Sequence, residues 1–182
     1  MIITRPADIA VFGYYQRYIG LAAFDDLLTS LKDIHIQTIE LIAPLDENIL
    51  NFRYEPSKWT IKEILGHLID TERIFAYRAL RFARKDQTPL PGFEQNDYVN
   101  NAETGLRHVN EILDEAEIVR KATIALFNSF NDSMLDEFAT ANKIQITPRA
   151  LGFTILGHEM HHIAVIKERY LSHFEGSSVP LV

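Results

Sequence analysis

The chain contains no cysteine. That excludes a disulfide framework, an iron–sulfur site and a protein thiol nucleophile, and leaves histidine, aspartate and glutamate to hold any metal. A basic tract is also missing: the net charge is -7 over 182 residues, which argues against a nucleic-acid partner. No apolar run reaches the ~20 residues that a bilayer-spanning helix needs. Met1-Ile2-Ile3-Thr4-Arg5-Pro6 does not have the pattern of a secretory leader, so the expectation is a cytoplasmic protein with no membrane partner. There is no internal repeat, no low-complexity tract and no convincing alternating strand.

What is present is helical period. Phe24, Leu28, Leu31, His35, Thr38 and Ile42 form one seam over residues 23–43, which ends near Pro44. Thr60 and Glu63 have capping-box spacing, with Trp59 and Ile64 as a staple around it, and open a helix running to about Lys85. Its inner face is Ile64, His67, Leu68, Thr71, Ile74, Phe75 and Arg78. Over 103–130, Leu106, Val109, Leu113, Ala116, Val119, Thr123, Leu126 and Phe130 share a side. Thr147 as N-cap and Pro148 at the first helical position start the closing helix, 148–173. Its positions 151, 155, 158, 162, 165 and 169 step 4-3-4-3-4, the seam of a packed bundle helix. The aromatic segment 1–22 reads as a short helix or lid packed on the body. Residues 86–102 read as a long crossover, 131–146 as a polar connection with a helical turn near 133–138, and 174–182 as a loose tail. One domain spanning 1–182, an all-α four-helix bundle, is predicted.

The chemistry concentrates in Gly157-His158-Glu159-Met160-His161-His162. On a helix, His158 and His162 lie one turn apart on one face, where two imidazoles can grip one transition ion such as zinc, nickel, copper or iron. A lone histidine in a seam is more often a core residue bonded to a neighbour, and His35 reads that way, while His108 belongs to a solvated face. Two histidines at i, i+4 are harder to reconcile with burial unless something satisfies them. His67, on the apolar side of the second helix, is the best third ligand. Three histidines make an open site that keeps a position for water or substrate. His158-Glu159-Met160-His161-His162 also matches the H-E-x-x-H pattern of zinc proteases. That alternative is minor: Val165 and Glu168 stand where the extended motif needs glycine and a third histidine.

Tyr54-Glu-Pro-Ser-Lys-Trp-Thr-Ile-Lys-Glu-Ile-Leu-Gly-His67-Leu-Ile-Asp-Thr-Glu72-Arg, then Pro89-Leu-Pro-Gly-Phe, then Gly157-His158-Glu-Met-His-His162 followed by Glu168-Arg-Tyr170, resemble the DinB/YfiT-like superfamily. The resemblance runs from about residue 20 to 171. It implies a four-helix bundle of up-down-down-up connectivity, a homodimer, and a divalent metal on His67, His158 and His162. Zinc or nickel would be the first expectation, iron or manganese the next. It further implies a metal-dependent hydrolase, or a transferase in which the metal activates a low-molecular-weight thiol, acting on a small-molecule substrate. A non-catalytic, stress-related metal-binding module is the alternative. Glu159, His161, Asp70 and Glu72 are candidates for orienting a ligand or moving a proton, although each could equally be a surface or pairing group.

Overall fold

The computed structural model describes residues 2–8 and 10–174; the predicted loose stretch from Gly176 lies outside them. A 3-10 turn at Ala10–Tyr15 leads into α1 (Gln16–Leu21), which packs along the last helix. Helix α2 (Leu27–Ile42) starts later than expected because Asp26 caps it, its carboxylate accepting from the Thr29 amide at 3.3 Å and the Ile3 amide at 3.0 Å. Phe24, placed in the seam by spacing, therefore lies outside the helix and is exposed. After the short α3 (Glu47–Leu50), α4 (Ile61–Ala83) opens on the capping box. There Thr60 Oγ1 accepts from the Glu63 amide at 3.2 Å and Glu63 accepts from the Thr60 amide at 2.7 Å.

The crossover is not unstructured. Residues Gln95–Ala102 form α5, capped by Glu94, and Leu90 pairs in parallel with Ala141. Helix α6 (Val109–Asn128) begins six residues after the expected 103, because Glu103 turns into the left-handed region (φ 50°) and a 3-10 turn follows it. Leu106, predicted to face inward, is consequently 84% exposed, and Thr104 is buried against Gly66 instead. The connection 131–146 holds α7 (Asp132–Leu135) and a hairpin that the sequence did not predict, β1 (Ala139–Ala141) with β2 (Ile144–Ile146), antiparallel, Ala139 opposite Ile146. Asn142 and Lys143, both at positive φ, make its turn.

Helix α8 (Pro148–Val165) starts as predicted, with Thr147 Oγ1 accepting from the Ala150 amide at 3.2 Å. Residues 151–159 are buried on every side, because α1, α2 and α4 all pack against it. The helix is thus the axis of the molecule rather than one wall of it. A π-helical stretch, Ile166–Tyr170, and a 3-10 turn, Leu171–His173, complete it. The wider turn shifts the register: Ile166 and Tyr170 point inward, and position 169 of the predicted seam is exposed.

Side-chain neighbours fix the directions. Leu27 lies against Gly152 and Thr38 bonds Glu159, so α2 and α8 run parallel. Lys62 reaches the Gly105 carbonyl and Arg73 pairs with Glu115, so α4 and α6 run parallel to each other. Phe127 meets Gly152 while Arg120 meets Glu159, so α6 opposes α8. This is up-down-down-up, with α2 and α4 each flanked by α6 and α8. The parallel α4–α6 pair is what requires the crossover: the chain must travel back along the bundle before α6 can begin.

Candidate metal centre

Two helices build the site. His67 projects from the second turn of α4, and His158 and His162 from successive turns of α8. Because α4 and α8 are antiparallel, His67, Thr71, His158 and His162 meet in one layer. The Nε2 atoms of His67 and His158 are 3.1 Å apart, and those of His158 and His162 are 3.2 Å apart. One ligand atom from each of the three lies within 4.8 Å of the others.

Burial keeps these rings neutral. It lowers His67 to about 4 and His162 to about 3, the latter helped by His67 and His161 nearby. His158 is pushed well below the ordinary imidazole value, by burial first and by His162 second. A neutral imidazole carries one lone pair and is the form that binds a metal. Three such nitrogens crowded at these distances cannot all satisfy one another, since a neutral ring has only one N–H. A cation among them would satisfy all three, so the donor set suits a divalent transition ion.

Neighbouring groups hold the rings. Thr71 Oγ1 is 3.4 Å from His67 Nδ1, the nitrogen facing away from the cluster. Trp59 lies 4.8 Å from the His67 ring, and Tyr18 meets the His158 ring edge-on at 5.0 Å between centroids. Tyr18 arrives there because Gly157 has no side chain: a Cβ on it would stand 1.9 Å from the Tyr18 carbonyl oxygen.

The cluster sits between two recesses. One, of about 200 Å³, includes His67 and His158 with Tyr14, Tyr18, Phe75, Arg78 and Phe93. The other, of about 310 Å³, includes His162 and His161 with Tyr54, Lys58, Trp59 and Tyr170. Gln95 of α5 borders both, so the crossover shapes the approach to the histidines.

The acidic candidates lie elsewhere. Glu159 turns away from the cluster, accepting from Thr38 Oγ1 at 2.6 Å and from Arg120 Nη2 at 2.7 Å. Glu72 accepts from Arg120 Nε at 2.9 Å and Nη2 at 2.7 Å. Arg120 also donates to the Leu31 carbonyl at 2.7 Å, so one buried guanidinium ties α2, α4, α6 and α8 together beside the site. A zinc-protease mechanism would need Glu159 facing the metal, and the structure overturns that alternative. Asp70 pairs loosely with Arg73, 3.7 Å away on the α4 surface, and burial raises its pKa. His161 stays near the site, its pKa lowered by burial and by Arg17. His35 is buried as expected, but among the described residues its Nε2 finds no partner rather than a bonded neighbour. His108 is exposed at the start of α6.

Arg120 was missed by the sequence reading. A signal existed: Leu113, Ala116, Arg120, Thr123 and Phe127 step 3-4-3-4, placing a charge in a core seam. Tyr14 and Tyr18 belong to the aromatic segment 1–22 that the sequence packs on the body, and no sequence signal puts them beside the histidines.

Comparison with known proteins identifies the family and the fold. The family model described as the DinB superfamily matches residues 31–166. A curated protein of Oceanobacillus iheyensis, named "Putative metal-dependent hydrolase", is 25% identical over 148 residues, covering 79% of this chain and 84% of that one. Among solved structures, YfiT from Bacillus subtilis superposes with a TM-score of 0.73 at 19% identity, over 84% of this chain and 87% of that one. It is described as "a probable metal-dependent hydrolase with an unusual four-helix bundle topology". With the bundle, the three converging histidines and a family match across most of its length, this chain belongs to the DinB superfamily.

Proposed function

We propose that this protein is a metal-dependent enzyme in which His67, His158 and His162 hold one divalent ion, and that it acts on a small molecule as a hydrolase. The observation that carries the reading is the convergence of three neutral imidazoles, two buried and one partly buried, at the junction of two recesses. A bound divalent ion would supply Lewis acidity, polarising a substrate oxygen and drawing the pKa of a coordinated water or thiol towards neutrality. The chain supplies the rest. In this reading Thr71 and Tyr18 orient the imidazoles, the aromatic walls restrict water, and His161, which borders the second recess, takes a proton. The hydrolase names of the relatives favour water as the nucleophile.

The second recess favours one further reading, transfer of a small thiol. Room on both sides of the histidines suits two organic reactants, and a chain without cysteine must obtain any thiolate from outside. The deciding experiment is metal analysis of the purified protein, followed by assay of the zinc- and nickel-loaded forms on ester and amide substrates and on thiol–electrophile pairs. Turnover that needs the metal and disappears in His158→Ala supports the enzyme. Stoichiometric metal without turnover in either panel would leave a non-catalytic metal-binding module.

A further inference from the structure

Among the described residues three arginines are buried, and two are neutralised in the same way. Arg120 lies between Glu72 and Glu159, and Arg149 between Asp132 and Asp136. Arg78 is the most deeply buried of the three, 3% exposed, and among the described residues no carboxylate pairs with it. Its guanidinium donates to two neutral oxygens, the Tyr15 hydroxyl at 3.3 Å and the Pro91 carbonyl at 2.7 Å. It stands 5.5 Å from the centre of the Phe75 ring and 6.0 Å from that of Phe93. Burying a cation without a counter-charge is costly, and neutral oxygens and ring faces offset only part of that cost. The uncompensated charge lines the recess that ends at His67 and His158.

We infer that Arg78 is an anion receptor and that this recess takes a small organic carboxylate with an aromatic or apolar body. The carboxylate sits on the guanidinium, and the body lies between Tyr14, Tyr18, Phe75 and Phe93, directed at the histidines. A guanidinium carries five N–H donors in a planar fork that matches a carboxylate. Two of these donors hold Tyr15 and Pro91, which fixes the fork rigidly and leaves N–H capacity for a ligand. Glu94 also borders the recess, as an exposed cap of α5 accepting from the Asn96 amide at 3.3 Å, and no ion pair joins it to Arg78. The anion site is a property of the apoprotein. Only the statement that the bound molecule is the substrate rests on the metal-enzyme reading.

The test uses EDTA-treated full-length protein, so that no metal can bind the probe, with benzoate and its neutral analogue benzamide as probes. Calorimetric titration should show benzoate binding at least tenfold more tightly than benzamide. Arg78→Gln should abolish that preference, with a loss for benzoate of about ten- to hundredfold and little change for benzamide. Arg78→Lys should keep part of the preference, having the charge without the fork. Equal affinity for the two probes in wild type overturns the inference, as does an Arg78→Gln loss that is equal for both, which is the behaviour of a structural strut. Should Arg78→Gln and Arg78→Lys fail to fold, the wild-type preference and a benzoate-induced shift of the Arg78 Nε–H resonance decide the matter. A protein that binds benzoate in this way but takes up no zinc or nickel would sustain the anion site while refuting the metal enzyme. Stoichiometric metal with no benzoate preference would do the reverse.

Discussion

Arg120 Nη2 lies 2.7 Å from Glu159 Oε2, so the acid that follows His158 in sequence is committed to a buried ion pair and not to the metal centre. The same guanidinium holds Glu72, the residue after Thr71. Replacing Arg120 by Met would strand two buried carboxylates, and the expected destabilisation is about 3–5 kcal/mol, measured by urea denaturation. Glu159→Gln is the informative companion. It should retain the metal and most of the turnover, whereas loss of a general base would reduce the rate on the order of a hundredfold or more.

Metal should stabilise the fold. Zinc at a hundredfold excess over its dissociation constant is expected to add about 2.7 kcal/mol to the unfolding free energy. A thermal scan should show the corresponding rise in melting temperature for wild type and none for the His158→Ala, His162→Ala double variant. Metal content by mass spectrometry should fall in parallel. An equal rise in the variant would place the ion elsewhere.

Acid should destabilise the metal-free protein. His67 titrates at about 4 and His162 at about 3 in the fold, against about 6.5 in an unfolded chain. Between those limits the unfolded state binds protons that the folded state does not, so stability falls as pH falls below 6.5 and levels off near 3. Denaturation of EDTA-treated wild type at pH 7.5 and at pH 5 should reveal this loss, and a His67→Gln, His162→Gln variant should lose less over the same interval. Equal losses would mean that other groups dominate.

Gly157→Ala should dislodge α1. The added Cβ would meet a backbone carbonyl at 1.9 Å, which no side-chain rotation relieves. The expected cost is about 1–3 kcal/mol or more, with faster proteolysis of the first twenty or so residues and a disturbed Tyr18 recess. Gly105→Ala is the control. Nothing lies within 4 Å of its added atom, so stability should stay within about 0.5 kcal/mol.

The number and order of the four long helices, the cap at Thr60 and the start of α8 at Pro148 were legible from sequence, since each depends on residues a few positions apart. The pairing of His158 with His162 was legible for the same reason: helical period alone puts them on one face. What only the tertiary structure decided depends on distant residues meeting. His67 reaches His158 because α4 and α8 are antiparallel, and the two residues are 91 positions apart. Glu159 faces Arg120 because α6 presents that side, although the motif around it is equally consistent with catalysis. The start of α6 moved because Glu103 adopts a left-handed turn that hydrophobic spacing does not register. Spacing puts Arg78 on an inner face, but that no carboxylate among the described residues pairs with it could be known only from the packed structure. Periodicity reports which face of a helix is buried, and packing alone determines what that face is buried against.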